Sequence, residues 1–250
     1  MQQALHPDKN IPISVAQYIQ EFGNKPLNGI DSRPKCRCQL CKQEVFEKHM
    51  STVSSSQGNF SHYPNRGYCP IKSQSVASYS HCVPAMPNKQ RALRLKQQFR
   101  KNWRQHYKQI SHLAKNLKPI EFIQLLTRAN QQRIWEYDQL QEYQLPYVLV
   151  TLVEFPNQTG NYKNKRHCWF RFWFDSSVQV YDDIWRTNTL PELWRAYYYL
   201  TGKQRTPSED NLKNLSSFHM NKDFLTWDDK LPQFIIDDVE KWFTSHHFGE

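Results

Sequence analysis

The stretch CRCQLCKQEVFEKHMSTVSSSQGNFSHYPNRGYC, residues 36–69, holds four of the chain's six cysteines together with His49 and His62. Cys38 and Cys41 have the two-residue gap that lets both thiolates face one ion from a tight turn. His62 and Cys69 form a second pair in a loop rich in turn residues. Tetrahedral zinc takes four such nitrogen and sulfur ligands, so the first-choice set is Cys38, Cys41, His62 and Cys69. Cys36 competes with Cys38, because C-x-C and C-x-x-C overlap, and His49 competes with His62. Residues 34–73 contain few core-forming apolar side chains: Leu40, Val45, Phe46, Val53, Phe60, Tyr63, Tyr68 and Ile71. Ligation energy can order a segment that is short of core. A complete four-ligand set leaves no open coordination position, which makes the expected zinc structural and argues against metal-based catalysis.

The rest of the composition sets the frame for this segment. A chain of 250 residues forms one large domain or two smaller ones. Hydrophobic content is 38% with 14% aromatic, so the core is expected to be heavy in Trp, Tyr and Phe. No apolar run approaches the roughly 20 residues that a spanning helix needs, and the mean hydropathy is −0.82. MQQALHPDKNIPISVAQ lacks the charged start and apolar stretch of a signal peptide, so a cytoplasmic protein without membrane association is expected. Cysteines crowded into one stretch in a reducing compartment point to metal, not to disulfides.

Charge is unevenly spread. Residues 1–118 carry 19 Lys+Arg against 5 Asp+Glu, whereas residues 119–250 carry 14 against 18. A basic half joined to a mildly acidic half implies a polyanion-facing surface, with DNA or RNA as the default partner and an anionic membrane or an acidic protein in a complex as the next.

Residues 89–118, KQRALRLKQQFRKNWRQHYKQISHLAKNLK, place Ala92, Leu95, Phe99, Trp103, Tyr107, Ile110, Ala114 and Leu117 at three- or four-residue steps, predicting one long amphipathic helix. Its remaining positions carry ten basic residues and no acid. Phosphate contacts are expected from Arg91, Arg94, Lys96, Arg100, Lys101, Arg104 and Lys108, with Lys89, Lys115 and Lys118 on the same element. Arg33, Lys35, Arg37, Lys42, Lys48, Arg66 and Lys72 add charge near the Cys/His segment.

Periodicity organises the remainder. Residues 13–23 read as a short helix ended by Gly23, residues 70–88 as a connector, and IEFIQLLTRANQQR after Pro119 as a helix. LPYVLVTLVEF (145–155), NKRHCWFRFWFD (164–175) and SSVQVYDDIW (176–185) read as successive strands of a small antiparallel meander, with Phe170, Phe172 and Phe174 on one face. TLPELWRAYYYLTG and LPQFIIDDVEKWF read as helices, and Thr206-Pro207-Ser208-Glu209 as a capping box. The expected class is α+β, with a zinc-binding module and connector over 1–88 and a helical and antiparallel domain over 89–250.

CQLC followed by NFSHYPNRGYCP resembles the zinc-finger-like segment near the start of bacterial competence CoiA-type proteins, where a C-x-x-C pair precedes an aromatic-x-His element and a further Cys. The resemblance spans residues 36–70 and implies a bacterial or phage-like zinc protein. In that family a nuclease domain of the PD-(D/E)xK kind follows. Glu154 here precedes Phe155 and Pro156, and the E-x-K element is missing, so that activity is not carried over. A different metal-dependent nuclease, using Glu154, Asp175, Asp182 and Asp183 at strand ends, is the alternative enzyme reading. An adaptor subunit docking an acidic partner is the third. The leading expectation is a zinc-stabilised, basic, non-catalytic nucleic-acid-binding protein.

Overall fold

The computed structural model of the chain describes residues 1–25, 29–48, 58–64, 69, 79, 82–159, 165–175, 177–186, 188–200, 206–208 and 211–250. His49, Arg66, Lys72 and Glu209, together with Val53, Tyr68 and Ile71 of the expected core, lie outside the described residues. The chain divides into two compact units, Met1–Pro70 and Ile71–Glu250. Among the described residues there are six α-helices and two antiparallel sheets, an α+β protein. No helix of the described residues is long and apolar enough to cross a membrane.

In the first unit β1 (Gln3–Leu5), β2 (Pro12–Ser14), β3 (Cys36–Arg37), β4 (Glu44–Lys48) and β5 (Asn59–His62) pair in the order β2-β1-β3-β4-β5. The sheet curls until its far strand meets its start: Met1 N donates to Phe60 O at 2.9 Å, and Phe60 N donates to Met1 O at 2.7 Å. The helix expected at 13–23 is α1 (Val15–Phe22), opened by a Ser14/Gln17 capping box and ended at Gly23, φ 80°. Tyr18 packs edge-on against Phe60 at 6.1 Å between ring centroids. Gly58 makes room for the helix, since a Cβ there would lie 2.9 Å from Val15 Cγ1. The buried apolar set of the sheet and helix is small: Ala4, Leu5, Ile13, Val15, Tyr18, Val45 and Phe60. A polar knot supplements it. Arg33 donates to Asp31 Oδ1 and Oδ2 at 2.9 and 3.0 Å and to Gly23 O at 2.8 Å, pairs with Glu47, and lies over the Tyr18 ring. The Arg33 guanidinium holds the Asp31 carboxyl well below the usual carboxylate range.

The second unit begins earlier than the expected boundary at 88/89. Tyr79 is buried there, 6.0 Å from Phe174 and 4.9 Å from Tyr181 between ring centroids, and its hydroxyl accepts from Phe174 N. The long basic helix is two helices, α2 (Lys89–Lys101) and α3 (Trp103–Ala114). Asn102 separates them in a bridge-region conformation, φ −111° and ψ 18°, and its side chain donates to Glu142 Oε1 at 2.8 Å. The second helix stops at Ala114 because Lys115 and Asn116 both adopt a left-handed φ of 50°. Its freed carbonyls are taken by the buried Arg166, which donates to Ala114 O at 3.3 Å and Lys115 O at 3.1 Å and pairs with Glu121. Next comes α4 (Pro119–Gln131), with Phe122, Leu125, Leu126 and Ala129 buried as expected.

Three elements differ from the sequence expectation. LPYVLVTLVEF opens as a short helix, α5 (Leu145–Leu149), and continues in turns; only Phe155 keeps a strand-like bridge, to Phe170. The run is buried almost throughout, and a wholly apolar run carries no period by which strand and helix can be told apart. SSVQVYDDIW turns through a 3-10 helix at Tyr181–Trp185. TLPELWRAYYYLTG, expected as a helix, supplies the central strand of the sheet.

That sheet is β6 (Trp169–Phe174), β7 (Leu193–Tyr198) and β8 (Leu212–Phe218), an antiparallel meander in that order. Thr206, Pro207 and Ser208 are not helical: Asn211 accepts from Ser208 N at 2.9 Å and leads into β8. Phe170, Phe172, Phe174 and Leu193 join one core with the helices, including the C-terminal α6 (Gln233–Ser245). On the opposite face Arg171 is buried, pairs with Glu154 at 2.8 Å and lies over the Tyr198 ring.

Candidate metal centre and basic helices

The four first-choice ligands converge. Cys38 and Cys41 sit in the turn between β3 and β4, His62 ends β5, and Cys69 follows; their donor atoms all lie within 4.8 Å of one another. Pairing of Val45 with His62 brings the imidazole to this turn. The turn has a built geometry. Cys38 N donates to Gln43 O at 2.8 Å, Lys42 N donates to Cys38 O at 3.0 Å, and Leu40 N donates to Cys38 Sγ at 3.4 Å. Lys42 takes a left-handed φ of 59°, which lets the chain reverse directly after Cys41. The backbone amide on Cys38 Sγ stabilises a thiolate there.

Cys38 Sγ and Cys69 Sγ are 3.8 Å apart, and Cys41 Sγ lies 3.2 Å from His62 Nε2. In a regular tetrahedron with metal–sulfur bonds of about 2.3 Å the sulfur–sulfur edge is about 3.8 Å, and a sulfur–nitrogen edge about 3.5 Å. Three cysteines and one histidine at these separations can hold a metal ion. The three cysteines are buried and His62 is partly buried.

Protonation follows the same geometry. Hydrogen bonds from Cys41 first, then Cys69, push the Cys38 thiol well below its ordinary value. Cys41 is pushed up to about 12, chiefly by its hydrogen bond to Cys38, and Cys69 is raised by burial. Three sulfurs packed this closely disfavour more than one thiolate among them, through burial and mutual repulsion. A divalent ion removes that restriction and draws off the remaining protons.

Cys36 stands apart from the cluster. It pairs with Val45 across β3 and β4, is buried, and burial pushes its thiol up to about 12. Of the two overlapping cysteine spacings, C-x-x-C is the one the fold uses. Gln43 and Leu40, whose backbones hold Cys38, carry no side-chain signal that a sequence pattern could have found.

The basic residues of α2 and α3 are mostly committed within their own unit. Arg91 donates to Leu140 O at 3.2 Å, and Arg100 to Phe248 O at 2.9 Å. Lys96 lies over the Phe248 ring, and burial lowers its pKa. Arg104 pairs with Asp229 at 3.1 Å and Lys108 with Asp228 at 2.6 Å. Of the seven expected phosphate contacts, Arg94 and Lys101 are exposed, as are Lys89 and Lys115.

The four carboxylates of the alternative enzyme reading serve local structure. Glu154 accepts from Trp169 Nε1 at 3.0 Å and pairs with Arg171, and Asp175 accepts from Ser177 N at 2.9 Å. Asp183 accepts from Gln179 N and Val180 N, and Asp182 from Ala85 N at 3.4 Å. Among the described residues, the Cys/His tetrad is the only group of three or more such donors within reach of one ion.

No protein-family model, no curated protein and no solved structure matches the chain.

Proposed function

We propose that the chain is a zinc-stapled nucleic-acid-binding protein in which the metal orders the first unit and exposed cations of the second unit contact phosphates. The closed Cys38–Cys41–His62–Cys69 tetrad supports structural zinc: soft thiolate donors favour zinc over calcium or magnesium, and four protein ligands leave no place for a reacting water. The likeness of residues 36–70 to the finger-like segment of CoiA-type proteins points the same way.

One observation carries the partner. Residues 71–118 contain 11 Lys+Arg and no Asp or Glu. Their acidic counterparts come from the C-terminal segment and neutralise only part of the helix pair, leaving Lys89, Arg94 and Lys101 exposed. Three phosphate contacts give a slope of log K against log salt of about −2.7, or roughly 40-fold weaker binding from 50 to 200 mM salt. The test is fluorescence anisotropy on a DNA or RNA oligonucleotide across that range, with the double variant Arg94→Glu and Lys101→Glu. Binding should weaken at least tenfold in the variant and its salt slope should fall by about two. Affinity indifferent to salt and to the variant would overturn the reading.

A further inference from the structure

Arg195, in the middle of β7, is a cation without a carboxylate partner among the described residues. Its guanidinium lies between the Phe170 and Phe218 rings, 5.0 and 4.9 Å from their centroids. One N–H donates to Leu113 O at 2.7 Å, and the buried Nε has no hydrogen-bond partner among the described residues. A charge removed from water is ordinarily paired, because desolvation costs several kcal/mol. Here burial lowers the Arg195 pKa and outweighs the raising pull of the Cys168 thiol.

The residue lines an open groove of about 740 Å³ between α3, the sheet and the segment leading to α6. Lys108, His112 and Lys115 stand on one wall, Phe218 and Trp227 on the others, and none of the lining residues is acidic. Asp228 sits beside it but is occupied by Lys108, whose Nζ also donates to Asp228 O. Lys115 is exposed, at the left-handed end of α3. Trp227 is 38% exposed, and His112 meets its ring edge-on at 6.3 Å.

From these residues we infer that the groove is a nucleotide subsite, with Arg195 and Lys115 taking a phosphate and Trp227 stacking an unpaired base. The inference rests on the nucleic-acid reading above and sharpens it toward single strands. Guanidinium and ammonium groups match a phosphate's charge, and an indole face is a sequence-tolerant stacking platform. Bases inside a duplex are already stacked and cannot reach it. The groove is thus a different contact from the exposed cations of α2, which any nucleic-acid backbone satisfies.

The experiment compares a labelled oligothymidylate with a hairpin duplex of equal charge at low salt, using the full chain. Trp227→Leu and Lys115→Gln are surface changes, and each should weaken single-strand binding about tenfold or more while moving duplex binding less than twofold. Arg195→Gln should do the same; where it unfolds the chain, the two surface variants decide. Nucleic-acid binding that leaves single-strand affinity unchanged in both surface variants overturns the subsite and keeps the wider reading. Thymidine monophosphate, titrated by NMR, separates the remaining cases. If no oligonucleotide binds but the nucleotide does, and Lys115→Gln weakens it, the subsite stands and the wider reading falls. If neither binds, both fall. A poly-glutamate peptide bound with the same dependence on Trp227 and Lys115 also overturns the nucleotide assignment.

Discussion

The two units solve the problem of staying folded by different means. The first has a curled sheet of short strands, seven buried apolar side chains in its sheet and helix, a half-buried Arg33–Asp31–Glu47 knot and a cluster of four metal-type donors. The second has a continuous aromatic core. Phe99 alone touches His106, Phe122, Trp135 and Phe248 at ring-centroid distances of 4.5 to 6.1 Å. Where buried apolar area is scarce, ion pairs and a cluster of metal-type donors stand beside it; where it is abundant, the aromatic core accounts for the packing.

The largest expected effect is therefore confined to the first unit. Removing metal with a strong chelator should cost that unit its fold, since structural zinc contributes apparent free energies of about 10–16 kcal/mol in small modules. Hydrogen exchange is expected to show loss of amide protection in β3, β4 and β5 and none in α4 or β6. Loss in both units would break the contrast. Conversely, Phe99→Ala should cost the second unit about 3–5 kcal/mol in denaturant unfolding and leave the first unit's protection unchanged.

A smaller effect distinguishes the units by pH. His106 is fully buried, stacked on Phe99, with Nε2 3.2 Å from Glu142. Burial lowers its pKa and outweighs the raising pull of Glu142. Unfolded histidine titrates near about 6.5, so below that pH the unfolded chain binds more protons than the folded one. This contribution to second-unit stability is complete above pH 6.5 and declines as pH falls. His106→Gln should flatten the decline between pH 7 and 5 in thermal melts; an unchanged slope would assign it elsewhere.

The smallest effect belongs to the surface pairs that tie α3 to the C-terminal segment. Lys108→Ala and Arg104→Ala should each cost under about 1 kcal/mol, because their partners Asp228 and Asp229 are well exposed. A larger loss would mean that these cations are structural and not available to phosphate.

Legibility divides along a related line. The cluster of four metal-type donors could be read from spacing because metal geometry constrains residue type and gap directly. The helices α1, α4 and α6 and the strand β6 were legible from periodicity and end signals. Two failures have one cause. In both 145–155 and 193–198 nearly every position faces protein, so the alternation that marks a half-exposed strand is absent. Leu193, Ala196 and Tyr198 are buried on both faces of β7, and Tyr-rich sequence between Pro191 and Gly202 imitates a capped helix. Arg195 was hidden inside that misread segment. The break at Asn102 was not legible either, because the carboxylate that holds it, Glu142, lies far along the chain. The same holds for the helix charges, whose acidic partners are in the C-terminal segment.

Zinc content measured by native mass spectrometry on the wild-type chain, Cys38→Ser and Cys36→Ser tests the central claim most directly. A single zinc ion is expected in the wild type and in Cys36→Ser, and none in Cys38→Ser. Zinc retained by Cys38→Ser, or lost from Cys36→Ser, would contradict the assignment of the tetrad as the staple of the first unit.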